Sequence, residues 1–150
     1  LRASLAGRAR SPDVALGCAA GLVALAVNVA LLAVVRSASG DGAAFPSLAV
    51  PEDLFATLVA FVLFPTLFEE WLDRGVLWIA LRRLANARMT ILLTASLFAM
   101  THGLDGAGLA ELPTRFLLGL VLGWLRHRSG SLLPSMACHF TNNLVAILLV

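Results

Sequence analysis

Lysine is absent from this 150-residue chain, and charge of either sign is scarce, with 13% of residues charged against 59% hydrophobic. A soluble globular domain carries about a quarter charged residues, so composition excludes a water-solvated fold. All 11 basic residues are arginine, and they stand between apolar blocks instead of clustering on one stretch. That placement excludes a nucleic-acid surface and makes the arginines reporters of membrane orientation. Only two cysteines occur, Cys18 and Cys138, in separate apolar blocks and without a CxxC spacing, so they read as buried free thiols. GxSxG, HExxH and a Ser/Lys dyad are all missing, which removes the usual parts of serine and zincin hydrolases. No internal repeat or low-complexity tract is present, and a short chain without an inverted repeat argues against a transporter. The chain begins at Leu1 without Met and ends at Val150 inside an apolar run, the expectation being a piece of a longer protein. Abundant alanine, arginine and glycine with no lysine suggest GC-rich coding and hence a bacterial source.

What is present is long apolar blocks. Val14 to Val35 holds no ionisable group over 22 residues, and Ser129 to Val150 holds only His139. At ~1.5 Å per residue each block is about 33 Å long as a helix, enough to cross a ~30 Å hydrocarbon core. The first block is too long for a signal peptide and no cleavage site follows it, so it is expected to be a retained helix.

The expected fold class is all-α, a polytopic transmembrane bundle of about five helices. They run from Asp13 to Val35, Asp53 to Arg83, Ala87 to His102, Pro113 to Arg126 and Ser131 to the end. The whole of 1–150 reads as one membrane-embedded domain. Ser37 to Glu52 and Gly103 to Gly106 read as loops. At about 30 residues the second helix is too long to stand upright and must tilt, kink at Pro65 or project. Arg2, Arg8 and Arg10, then Arg82, Arg83 and Arg88, then Arg126 and Arg128 alternate with the acidic Asp41, Glu52, Asp53, Asp105 and Glu111; Arg115 is the exception. The positive-inside rule therefore puts the N-terminus, the second-to-third turn and the fourth-to-fifth turn in the cytoplasm. Gly17/Gly21 and Gly119/Gly123 form GxxxG spacings, read as sites of close helix packing.

An ionisable side chain at a membrane helix centre costs roughly 2.5–3.5 kcal/mol on insertion scales. Yet the second helix carries Phe68-Glu69-Glu70-Trp71-Leu72-Asp73-Arg74. Glu70 and Arg74, spaced i,i+4, can pair with each other. Glu69 lies on an adjacent face without a local partner. The third helix adds Phe98 and His102, and the fifth adds His139 and Asn143, spaced to share one face. Counted at ~1.5 Å per residue from Arg82, Arg88 and Gly130, Glu69, His102, His139 and Asn143 lie about 13–21 Å deep, depths that allow all four to share one layer. His127, between Arg126 and Arg128, reads as an interfacial residue.

Glu69-Glu70-xxx-Arg74, Phe98-xxx-His102 and His139-xxx-Asn143, in this order on successive apolar helices, resemble the three motifs of the CAAX-protease and bacteriocin-processing (CPBP, or Abi) family. That family includes the type II CAAX prenyl endopeptidases. Thr101-His102-Gly103 and Gly130-Ser131-Leu132-Leu133-Pro134 strengthen the match, which covers about Glu69 to Asn143. Asp73 departs from the pattern, since many relatives have an aromatic or aliphatic residue there, and this bears on how Arg74 is paired.

The resemblance implies an intramembrane endopeptidase in which Glu69 and His102 activate water and His139 and Asn143 stabilise the oxyanion. Glu70 and Arg74, with Phe98, would support the geometry. The expected partners are membrane lipids and a membrane protein or peptide, with no nucleic acid, at the bacterial cytoplasmic (inner) membrane. Three substrate classes stay open: a prenylated CAAX protein, a bacteriocin or pheromone precursor, and another membrane protein. No cofactor is the favoured reading. The competing one is zinc held by Glu69, His102 and His139, against which Asn143 is a better oxyanion donor than zinc ligand. A different functional class, a non-catalytic membrane binding protein such as a bacteriocin-immunity factor, would keep the same polar site for folding.

Overall fold

In the computed structural model, residues 9–39, 52–104 and 111–149 are described, and they form five helices. These are α1 (Ser11–Ser39), α2 (Leu54–Leu81), α3 (Ala87–Leu104), α4 (Leu112–Ser129) and α5 (Leu133–Leu148). The number and order match the sequence reading. Residues 37–39, read as loop, instead continue α1, and Gly103 and Leu104 continue α3. Residues 40–51 and 105–106 of those loops, which include Asp41 and Asp105, lie outside the described residues, as do Arg2 and Arg8. Two helices, Ser11–Leu31 within α1 and all of α2, are long and apolar enough to cross a membrane.

Local chemistry sets the helix ends. Asp53 caps α2 by accepting from the Ala56 amide at 2.9 Å, and Asn86 does the same for the Met89 amide at 3.0 Å before α3. Gly130 closes α4 at φ 68°, a left-handed position that glycine adopts without strain, and its N–H reaches the Arg126 carbonyl.

The two GxxxG pairs act as close-packing surfaces. A Cβ on Gly17 or Gly21 would strike the carbonyl oxygens of Pro134 and Cys138 on α5, so α1 and α5 run parallel with touching backbones. Gly119 and Gly123 face Ala95 and Ile91, so α3 and α4 are antiparallel neighbours, with a Cβ on Gly119 only 2.9 Å from the Ala95 Cα. Phe98, Leu118, Leu122, Leu125 and Cys138 form the core where α3, α4 and α5 meet, with Leu16, Ala20 and Ala24 of α1 against it. Asp13 lies 3.8 Å from Arg128, and the rings of Trp78 and His127 are 6.4 Å apart, so the start of α1 and the ends of α2 and α4 share one end of the bundle.

α2 is not a uniform α-helix. Val59–Leu63 and Glu70–Leu77 are π-helical and flank an α-helical stretch, Phe64–Glu69, that opens with Pro65. Proline has no amide to give the carbonyl four residues back, Phe61, so the regular ladder fails there. π segments inside α-helices tend to mark functional positions. Here the second one carries Glu70, Asp73 and Arg74.

Candidate active site

Arg74 organises the polar centre. Completely buried, it donates from Nη1 to Glu70 Oε1 at 3.1 Å and to Asp73 Oδ2 at 3.3 Å, and from Nη2 to the Gly119 carbonyl at 3.3 Å. Its guanidinium also lies 4.7 Å from the centroid of Phe98. One cation thus joins α2, α3 and α4, and the expected Glu70–Arg74 pair is present with Asp73 added to it. Gly119, which sets α4 against Ala95 of α3, also offers its carbonyl to Arg74 of α2.

The π segment exposes a second need. At its end the Trp78 amide bonds the carbonyls of Asp73 and Gly75 and skips that of Arg74. The Arg74 carbonyl accepts instead from Arg126 Nε at 2.9 Å. Arg126, read from sequence as an orientation marker, is buried. No sequence signal separates it from its neighbour Arg128, because the demand arises only when the helix widens.

Glu69, His102 and His139 come together from α2, α3 and α5. Glu69 Oε2 lies 3.8 Å from His102 Nε2 and 3.9 Å from His139 Nε2, and it has no hydrogen-bond partner among the described residues. Each gap exceeds a direct hydrogen bond but suits one bridging oxygen at ~2.8 Å from each side. The three side chains are graded in exposure, 29% for Glu69, 21% for His102 and 2% for His139, so the cluster opens at Glu69 and His102 and ends at a buried imidazole.

Both imidazoles are held from behind. His102 Nδ1 lies 2.8 Å from the Phe98 carbonyl, and His139 Nδ1 lies 3.1 Å from Glu70 Oε1. A carbonyl and a carboxylate can only accept, so in each ring Nδ1 carries the proton and Nε2 turns to Glu69. The Phe98 ring sits between them, 4.4 Å from His102 and edge-on at 5.7 Å to His139.

Asn143 is placed differently from these three. Its Nδ2 donates to the Phe61 carbonyl at 3.2 Å, and its Oδ1 accepts from Asn142 Nδ2 at 3.1 Å. The amide therefore serves the carbonyl that Pro65 leaves without its α-helical donor. Asn142 and Ser135, both buried on α5, escaped the sequence reading. Asn142 stands three residues from His139, a spacing as compatible with a shared helix face as the four-residue one. His127 lies at the bundle end against Trp78.

Residues 51–145 match the family described as Type II CAAX prenyl endopeptidase Rce1-like. The match covers more than half of the chain and all the site residues, and the chain belongs to this family. No match was found among curated proteins or among solved structures. With its apolar helices, the family marks the chain as a membrane protein and, at family level, as a CAAX-type endopeptidase.

Proposed function

We propose that this chain is an intramembrane endopeptidase that hydrolyses a peptide bond of a lipidated or membrane-associated protein or peptide, using Glu69 and His102 to activate water. The observation supporting this reading is the convergence of Glu69 Oε2 with the two Nε2 atoms at 3.8 and 3.9 Å. A water oxygen between Glu69 and His102 would lose its proton to one of them while attacking the scissile carbonyl carbon. The captured proton would then pass to the departing amine. The oxyanion would be met by His139 Nε2 and by the second N–H of Asn143 Nδ2, the first being given to Phe61. Because His139 Nδ1–H is given to Glu70, donation from Nε2 calls for the imidazolium, and the Glu70 carboxylate beside it supplies the opposite charge.

The whole of 1–150 forms one domain in this reading, seated in a bacterial inner membrane with the shared end of α1, α2 and α4 in the cytoplasm. The closely apposed α1–α5 and α3–α4 pairs support a bundle that spans the bilayer with all five helices.

One observation favours a second reading, that zinc is the water activator. Metal-bound histidines typically hand their other nitrogen to a carboxylate or carbonyl, as His139 and His102 do. Glu69, His102 and His139 would supply three ligands and leave a position for water. Tetrahedral zinc, however, sets neighbouring ligand atoms roughly 3.3 Å apart, and both edges from Glu69 are wider. No cluster of three or more His, Cys, Asp or Glu with metal-ligand spacing occurs among the described residues. The metal-free reading needs no such contraction and is preferred.

The test uses purified protein in proteoliposomes with a farnesylated CAAX reporter peptide and an unprenylated membrane peptide. Cleavage of either, retained after chelator dialysis and without stoichiometric metal by elemental analysis, supports the glutamate mechanism. Activity lost on dialysis and restored by zinc overturns it in favour of the metal site. Failure to cleave any peptide in this format or in cell membranes would leave a binding protein that keeps the site for folding.

A further inference from the structure

Glu70 is fully buried one residue from Glu69, and a role limited to neutralising Arg74 accounts for only part of its surroundings. The same oxygen, Oε1, accepts from Arg74 Nη1 and stands 3.1 Å from His139 Nδ1 on another helix. An imidazole has two nitrogens, and the ring can serve the cluster through only one of them at a time. Phe98 meets the His139 ring edge-on, so packing limits the ring plane without choosing its tautomer. Of the two carboxylates that face the ring, Glu70 alone is within hydrogen-bond distance, and it makes the choice.

We infer that Glu70 is a positioning residue for His139: it holds the Nδ1 proton, and so makes Nε2 the nitrogen that faces Glu69 and the reacting carbonyl. The inference rests on the proposed hydrolytic reading for its consequence in turnover, but its structural content stands apart from that reading. With an apolar group at position 70, the tautomer protonated on Nε2 becomes available to a neutral ring. Nδ1 would then carry the lone pair, the imidazolium would lose the carboxylate that offsets its charge, and the oxyanion would be met from Nε2 by a weaker, neutral donor.

Arg74 shapes the test, since removing Glu70 alone would leave a buried cation short of its partner. Replacing a buried ion pair by apolar groups of similar volume is often tolerated. The informative variants are therefore Glu70→Gln, which keeps an acceptor oxygen, and the double variant Glu70→Met with Arg74→Met, which removes acceptor and cation together. The chain has three histidines, so isotope-labelled histidine in nanodiscs, assigned with a His127→Gln control, resolves the tautomer of His139 by nitrogen NMR without any substrate.

The expected result is Nδ1 protonation of His139 in the native chain and in Glu70→Gln, and a population protonated on Nε2 alone in the double variant. With a cleaved reporter, kcat of the double variant should fall about 10²- to 10⁴-fold at nearly unchanged KM, the scale set by loss of a histidine-orienting carboxylate. A native His139 protonated on Nε2 alone would overturn the inference. So would a folded double variant that keeps the Nδ1 proton and the native kcat. If the native tautomer is as inferred while Glu69→Gln still cleaves, the positioning holds and the proposed mechanism falls.

Discussion

Asn143 on α5 donates its amide to the carbonyl of Phe61 on α2 at 3.2 Å, four residues before the proline that cannot. The pair ties the last helix to the break in the second, on the segment that leads directly to Glu69. Such a hydrogen bond contributes about 1 kcal/mol. Asn143→Ala should lower thermal stability in detergent by about that amount. Pro65→Ala restores an amide to the Phe61 carbonyl, so in that background the same substitution should cost clearly less. Equal losses in the two backgrounds would show that Asn143 does not serve the carbonyl left by Pro65.

Arg74 should tolerate neither shortening nor a point charge. Arg74→Ala leaves Glu70 buried without its cation, at a cost of about 3–5 kcal/mol. Arg74→Lys keeps the charge but cannot reach Glu70, Asp73 and the Gly119 carbonyl while lying over Phe98. Melting curves should rank native above Lys above Ala. A lysine variant as stable as the native chain would show that the planar, multi-donor geometry is not needed.

Gly21 and Gly123 should respond unequally. A side chain at Gly21 meets the Cys138 backbone, which cannot move aside, so Gly21→Val should destabilise by about 1–3 kcal/mol through forced separation of α1 and α5. At Gly123 the nearest atom is the Ile91 Cγ2 methyl at 3.2 Å, which has to give by only a few tenths of an ångström, so Gly123→Ala should cost clearly less. Thermal unfolding of both variants checks the contrast, and a neutral Gly21→Val would contradict the close α1–α5 packing.

Five helices and the convergence of Glu69, His102 and His139 were legible because each rests on a local rule. Apolar block length gives the helices, arginine-marked ends give depth, and a charge inside an apolar block stands out against its cost. The same holds for Gly17/Gly21 and Gly119/Gly123, whose spacing already implies a flat packing stripe. The buried role of Arg126 was not legible, since it depends on a carbonyl that only the π segment leaves open. Nor was the engagement of Asn143 with Phe61. A spacing of four residues told which face it shares with His139, while its partner is fixed by where Pro65 breaks a different helix. The second bond of Glu70, to His139, likewise joins residues 69 positions apart.

The central proposal is that Glu69, with His102, activates water for peptide hydrolysis in the membrane. It is tested most directly by comparing new protein termini in membranes from cells expressing the native chain or Glu69→Gln at matched levels and melting temperatures. The Gln side chain keeps the shape and an acceptor oxygen but cannot take a proton from water. The account expects a set of cleavage products with the native chain and their loss with Glu69→Gln. The same set of products at the same rate from both would contradict it.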